Sequence, residues 1–233
     1  MRIAINGMGR IGRLLFRRLM DNKQYEIVAV NDIMPVENLA YLLKYDSVYG
    51  TYSDQINGTD NSLLINGKKI PAFKNPDPEK LPWKKLNVDA VLECTGSFTD
   101  KSGASKHLTA GAKKVLLSTT GADDIPLLVY GFNQNGNTDQ INVLSPGGCM
   151  TNCSVHVLYI LNSIGINSVH INILHSYTSR QALVDMPHSQ FRRGRAAAES
   201  IIPVAIDLHK SLNRLFPALK DKINVFSTRV PVA

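Results

Sequence analysis

The sequence predicts an α/β protein: a doubly wound sheet over residues 1–148, then an incomplete α+β unit over 149–233. Three observations predict it. A short apolar strand runs straight into a glycine turn and a helix, and further apolar strands alternate with helical segments. A second glycine turn at Pro146-Gly147-Gly148 then opens a new helix and a new strand.

The first strand is Arg2-Ile3-Ala4-Ile5-Asn6. It is followed at once by Gly7-Met8-Gly9-Arg10-Ile11-Gly12 and the helical run Arg13 to Met20. In this order the first glycine permits the turn, the second lets the backbone approach a pyrophosphate, and the third packs helix on strand; this is the Rossmann dinucleotide fingerprint. Gly7, Gly9, Arg10, Ile11 and Gly12 are therefore candidate cofactor contacts. The next strand, Tyr25 to Val30, ends in Asn31-Asp32. Asp32 lies about 20 residues after Gly12, where a carboxylate accepts from the adenosine ribose hydroxyls and repels a ribose 2′-phosphate, which favours NAD over NADP.

Residues 46–80, with Gly58, Asn66-Gly67 and three prolines, read as hairpins and loop. Strands follow at Ala90 to Cys94 and Lys114 to Ser118, with a helix from Ser102 to Ala110 between them and a further strand at Gln140 to Leu144. Thr95, Gly96 and Ser118 then fall at carboxyl ends of strands, where the crevice of a doubly wound sheet opens. The apolar run Ser154 to Leu161 predicts the helix of the second unit, and 168–174 its next strand.

Composition narrows the functional classes. With 44% hydrophobic and 19% charged residues the chain fits a soluble globular protein, and no stretch approaches the roughly 20 apolar residues of a membrane span. Met1 leads directly into the first strand without the regions of a signal peptide, so a cytoplasmic location is expected. Three cysteines, Cys94, Cys149 and Cys153, make neither a disulfide framework nor a zinc site, and no metal is expected. The net charge of +7 comes from scattered Lys and Arg, apart from Lys113-Lys114 and Arg192-Arg193-Gly194-Arg195. Attraction of anionic substrates explains it better than nucleic-acid binding.

Ser145-Pro146-Gly147-Gly148-Cys149-Met150-Thr151-Asn152-Cys153 places Cys149 where a glycine turn enters a helix. The positive end of a helix dipole and unpaired N–H groups favour a thiolate there, so Cys149 is a candidate nucleophile. The strand Val169 to Leu174 delivers His175 as the chain turns polar at Ser176-Tyr177-Thr178, and the two side chains can meet as an ion pair. Cys153, one helical turn on, is expected to support packing.

These motifs, with Glu93-Cys94-Thr95-Gly96 and Arg193-x-Arg195-Ala196-Ala197-Ala198-Glu199-Ser200-Ile201-Ile202-Pro203, occur in the order seen in the glyceraldehyde-3-phosphate dehydrogenase family, which the chain resembles along its whole length. The resemblance implies a homotetramer of two-domain subunits with NAD in the N-terminal domain and a phosphorylated aldose as substrate. It implies that Cys149 attacks the aldehyde, that His175 is its base, and that Thr178, Arg193 and Arg229 hold phosphate groups; either Arg192 or Arg193 could face the pocket.

The chain also departs from the family pattern. Gly148 and Met150 replace the serine and threonine that usually flank the nucleophile, next to Thr151 in the expected substrate-binding segment. Ile206-Asp207 stands where the family carries a threonine-glycine pair for inorganic phosphate, and an aspartate there repels the anion. Leu81-Pro82-Trp83, and Ile202-Pro203-Val204 with Leu212-Asn213-Arg214-Leu215-Phe216-Pro217, look closer to erythrose-4-phosphate dehydrogenase. Erythrose 4-phosphate is therefore the favoured substrate and water the expected acyl acceptor. The alternatives are phosphorylating oxidation of glyceraldehyde 3-phosphate, and a nucleotide- or RNA-binding protein without catalysis. Family members continue for about another hundred residues, so the chain reads as truncated, with Val225 to Val232 a strand and the second sheet left with an unpaired edge.

Overall fold

β1 (Arg2–Asn6) is apolar on both faces because it becomes a central strand. Ile3 and Ile5 point into one core and Ala4 into another on the opposite face. A computed structural model describes residues 1–134 and 140–232. They divide into two compact units, Met1–Gly148 and Cys149–Ala233, each with its own sheet.

In the first unit, α1 (Arg10–Met20) starts three residues earlier than its apolar run, directly after Gly9, and buries Gly12 and Phe16. β2 (Glu26–Asn31) lies parallel to β1, and α2 (Val36–Lys44) returns Leu39, Ala40 and Leu43 to the core. The expected hairpins are β3 (Ile56–Thr59), β4 (Ser62–Ile65) and β5 (Lys68–Phe73), paired antiparallel. The end of β5 also joins the main sheet parallel to β2, through Val30 with Ala72 and Asn31 with Phe73.

β6 (Ala90–Glu93) pairs with the other side of β1. α3 (Lys101–Thr109), capped by the Asp100 carboxylate on the Gly103 N–H at 2.6 Å, leads to β7 (Lys114–Leu117). The strand expected over 140–144 is shorter, β8 (Val143–Leu144), since Gln140 and Asn142 are exposed and only the last two residues pair with β7. The sheet order is β3-β4-β5-β2-β1-β6-β7-β8. The chain leaves β1 on one side for β2 and returns on the other for β6, which makes a topological switch point beside β1.

The second unit opens with α4 (Cys149–Ile164), which begins at the cysteine itself and ends before Gly165, at φ 95°. β9 (Val169–Ser176) and β11 (Ile223–Val230) pair in parallel over eight residues, while β10 (Ile202–Pro203) pairs antiparallel on the far side of β11. Among the described residues β11 is thus the central strand of this sheet, with β9 and β10 on either side of it. α5 (Leu208–Leu215) packs Leu208 and Leu212 toward β11 and α4.

Candidate active site

In the first unit a cleft of about 400 Å³ opens at the carboxyl ends of β1, β2 and β6. Its walls include Asn6, Gly7, Gly9, Asp32, Asn75 and Thr95. Gly7 has φ 91°, and a side chain there would strike the backbone of Cys94 and Thr95. Gly12 is buried, and a Cβ would run into the Gly7 carbonyl. Gly9 differs: a Cβ would meet nothing within 4 Å. The space above it lies at the start of α1, whose first turn carries no acidic residue and whose Gly9 cap offers no side-chain bond to the helix N–H groups. Arg10 and Ile11 are exposed there. An open space facing uncapped N–H groups suits a pyrophosphate.

Both oxygens of Asp32 already accept backbone N–H groups, from Met8 at 2.6 Å and Met34 at 3.0 Å. The carboxylate is half-buried and keeps further lone pairs for ribose hydroxyls. Thr95 and Gly96 follow β6 on the exposed side, with Gly96 at φ 71°, while Ser118 follows β7 with its N–H on the Glu93 carbonyl at 2.9 Å. Residue types and placement therefore fit a dinucleotide. Cys94 sits under this turn, where burial pushes its thiol up to about 12, so it stays protonated at neutral pH.

Asn6, Asn31 and Asn75 also border the cleft and were not singled out from the sequence. One signal was legible: Asn6, Asn31 and Glu93 are the polar last residues of three apolar strands, all at the end where the crevice opens.

In the second unit the exposed Cys149 Sγ lies 3.6 Å from Nε2 of His175. The His175 Nδ1 is 2.7 Å from the Ser176 carbonyl, which can only accept, so Nδ1 carries a proton, and in the neutral form of the ring the Nε2 lone pair faces the thiol. The register of β11 on β9 sets Arg229 beside His175, and the Arg229 Nη1 donates to the same Ser176 carbonyl at 3.1 Å. Thr178 donates through its N–H and its hydroxyl to Oε1 of Gln181, at 2.9 and 3.0 Å. Arg193 is buried and donates from Nε to Gln190 at 2.5 Å. Burial holds its guanidinium below the ordinary value and the charge of Arg180 adds to this, so a bound anion would relieve both effects. Arg192 is exposed, and Arg195 is exposed and paired with Asp185 at 2.8 Å.

Three expectations need correction or refinement. Thr151 is 2% exposed: it shares the inward face of α4 with Val155 and Leu158, four and seven residues on, so helical periodicity turns it into packing rather than toward substrate. Cys153 is exposed rather than packed, and with Met150 it lines a groove of about 580 Å³ beside Cys149 and His175. Ile206 and Asp207 precede α5, where Asp207 is exposed and pairs with Lys210 at 3.2 Å. Gly148 has its N–H on the Thr120 hydroxyl at 2.9 Å. Among the described residues no His, Cys, Asp and Glu cluster could hold a metal, and no helix is long and apolar enough to cross a membrane.

Comparison with known proteins identifies both units. The family described as glyceraldehyde 3-phosphate dehydrogenase, NAD binding domain, matches residues 1–101, and its C-terminal domain matches residues 148–233. Glyceraldehyde-3-phosphate dehydrogenase 1 of Bacillus cereus is 41% identical over 234 residues, covering 100% of this chain and 70% of the relative. The glyceraldehyde-3-phosphate dehydrogenases of Clostridium pasteurianum and Geobacillus stearothermophilus are each 42% identical, covering 99% of this chain and 70% and 69% of their own lengths. None of these three relatives is named for erythrose 4-phosphate, so that substrate preference finds no support in them. The chain belongs to the glyceraldehyde-3-phosphate dehydrogenase family of NAD-dependent oxidoreductases.

Proposed function

We propose that this protein oxidises the aldehyde of a phosphorylated aldose through an acyl group carried on Cys149. The observation that carries the reading is the 3.6 Å approach of Sγ to a His175 ring whose tautomer is held by Ser176. Nε2 takes the thiol proton, and the thiolate adds to the aldehyde carbon. The resulting oxyanion recovers the proton as a thiohemiacetal hydroxyl. When hydride leaves the same carbon, His175 takes the hydroxyl proton again and a thioester remains, open to phosphate or water. Bound NAD supplies the hydride acceptor. Gly7, Gly9, the N-terminus of α1, Asp32, Thr95, Gly96 and Ser118 are the residues proposed to hold it.

Arg229, Thr178 and Arg193 are proposed to hold substrate phosphate, because Arg229 sits beside His175 and the buried Arg193 charge favours an anion. The relatives' names support glyceraldehyde 3-phosphate as substrate. A second reading, erythrose 4-phosphate with water as acyl acceptor, is favoured by Ile206 and Asp207, since an exposed carboxylate repels inorganic phosphate. A homotetramer in the cytoplasm is proposed on the same family footing.

NADH formation with each sugar phosphate, with and without inorganic phosphate, separates the readings. Strong phosphate stimulation with glyceraldehyde 3-phosphate supports the first, and phosphate-independent turnover of erythrose 4-phosphate the second. Cys149→Ser should bind NAD yet form almost no NADH, and His175→Asn should slow acylation by about two to four orders of magnitude. Retained turnover in the serine variant would sink the mechanism.

A further inference from the structure

Beneath the cofactor cleft lies a buried polar network that the chemistry above does not use. Glu93, the last residue of β6, is 1% exposed, and His107 and Trp83 are both fully buried. Glu93 Oε1 accepts from the Thr95 N–H at 2.7 Å and from the Thr95 hydroxyl. Its Oε2 accepts from Nδ2 of Asn6 at 2.6 Å and lies 3.0 Å from Nε2 of His107.

The direction of every bond follows by elimination. The Trp83 indole N–H can only donate, and it meets Nδ1 of His107 at 2.9 Å, so Nδ1 is the lone-pair nitrogen. Nε2 therefore carries the proton and donates to Glu93. The 3.4 Å approach of Asn6 Nδ2 to His107 Nε2 is then two donors sharing one acceptor.

Because its Nδ2 is committed to Glu93, Asn6 presents Oδ1 to Nδ2 of Asn31 at 2.7 Å. Asn31 in turn accepts the Asn75 N–H on Oδ1 at 2.9 Å and donates to the Asn75 carbonyl at 2.9 Å. Asn6, Asn31, Asn75 and Thr95 all border the cleft, and a single acceptor group sets the orientation of all four.

We propose that Glu93 is a positioning residue for the cofactor: a buried carboxylate, held by the Trp83–His107 pair, whose purely accepting character orders Asn6, Asn31, Asn75 and Thr95 along the cleft. This rests on the assignment of the cleft to NAD. Glu93→Gln is nearly isosteric but turns an amide NH2 either onto the Thr95 N–H or onto the Asn6 and His107 N–H groups; of these neighbours only the Thr95 hydroxyl can turn to accept, and His107 cannot change tautomer to receive it while Trp83 occupies Nδ1.

NAD affinity measured by calorimetry on the folded full chain, with folding checked by circular dichroism, tests this. Glu93→Gln should weaken NAD binding by about tenfold or more, the scale of a lost charge-assisted bond. Adding Trp83→Phe frees Nδ1 to carry the proton and lets Nε2 accept from the new amide. The double variant should therefore bind NAD about threefold or more tighter than Glu93→Gln alone. A merely structural role predicts the reverse, since removing a buried indole adds a second packing defect. Affinity of folded Glu93→Gln within about twofold of the parent, or a double variant no tighter than the single, overturns the proposal.

Nitrogen NMR of the parent needs no variant to fold. Protonated Nε2 with bare Nδ1 on His107 is expected, and the opposite tautomer overturns the network. If the parent does not bind NAD at all, the cofactor assignment falls and this role with it; if only the Glu93 effect is missing, this role alone falls.

Discussion

Gly9 and Gly12 belong to one turn, yet a methyl group added at each would meet opposite surroundings. At Gly9 it would enter open space, whereas at Gly12 it would collide with the Gly7 carbonyl and force α1 away from β1. Gly12→Ala should therefore destabilise the first unit by about 1–3 kcal/mol or more, the usual result of overpacking. Gly9→Val should leave stability nearly unchanged but weaken NAD binding, since its side chain projects where the pyrophosphate is proposed to lie. Urea unfolding and NAD titration of both variants check this, and the idea fails if Gly9→Val binds NAD as tightly as the parent. The same glycine pattern thus contains one position required by packing and another whose requirement comes from a ligand.

At the scale of elements, the turn 145–148 shows how one side chain can gather several backbone groups of a short loop. Ser145 is 1% exposed, and its hydroxyl accepts the N–H groups of Gly121 at 3.1 Å and Gly147 at 3.0 Å while donating to the Thr119 carbonyl at 2.6 Å. Ser145→Ala would strand two buried N–H donors and should cost about 1–3 kcal/mol of stability, read as a lower urea midpoint. An unchanged midpoint would mean that water or a shifted loop replaces the hydroxyl. In the second unit, the parallel register of β9 and β11 places Arg229 against His175. Residues 54 positions apart become neighbours through that pairing, and a slip of one residue would turn Arg229 to the opposite face.

Across the whole molecule, acid should be the weak flank. Asp89 accepts from the Arg2 N–H at 2.8 Å and the Lys113 ammonium at 2.6 Å, which hold its carboxyl below the ordinary value of 3.8. Asp46 is held low in the same way, first by the Tyr49 N–H and then by that of Val48. A carboxyl with a depressed folded value contributes stability that is present above its unfolded value and lost as pH falls through the folded one. Stability should therefore decline below about pH 4, and the positive charge of +7, growing as carboxylates protonate, adds repulsion. Asp89→Asn should be less stable than the parent at neutral pH and less sensitive to acid, by a small amount because the ion pair with the exposed Lys113 is screened by solvent. Urea midpoints from pH 3 to pH 7 measure both effects, and parallel curves for parent and variant would remove Asp89 from the account.

The amino-acid order by itself determined the parallel strands, the glycine turn, Asp32 at the end of β2, and the cysteine and histidine on successive elements of the second unit. Those are local features, written in apolar runs and in the turns that interrupt them. Only the tertiary structure decided that the hairpins join the main sheet, that Thr151 faces inward and Cys153 outward, and that β11 is central rather than at an edge. It also decided that His175 presents Nε2 to Cys149, and that Trp83, His107 and Glu93 form one buried chain of bonds. Strand order, the direction of a helix face and the tautomer of a ring depend on partners far away in sequence, and no local pattern specifies which distant groups will meet.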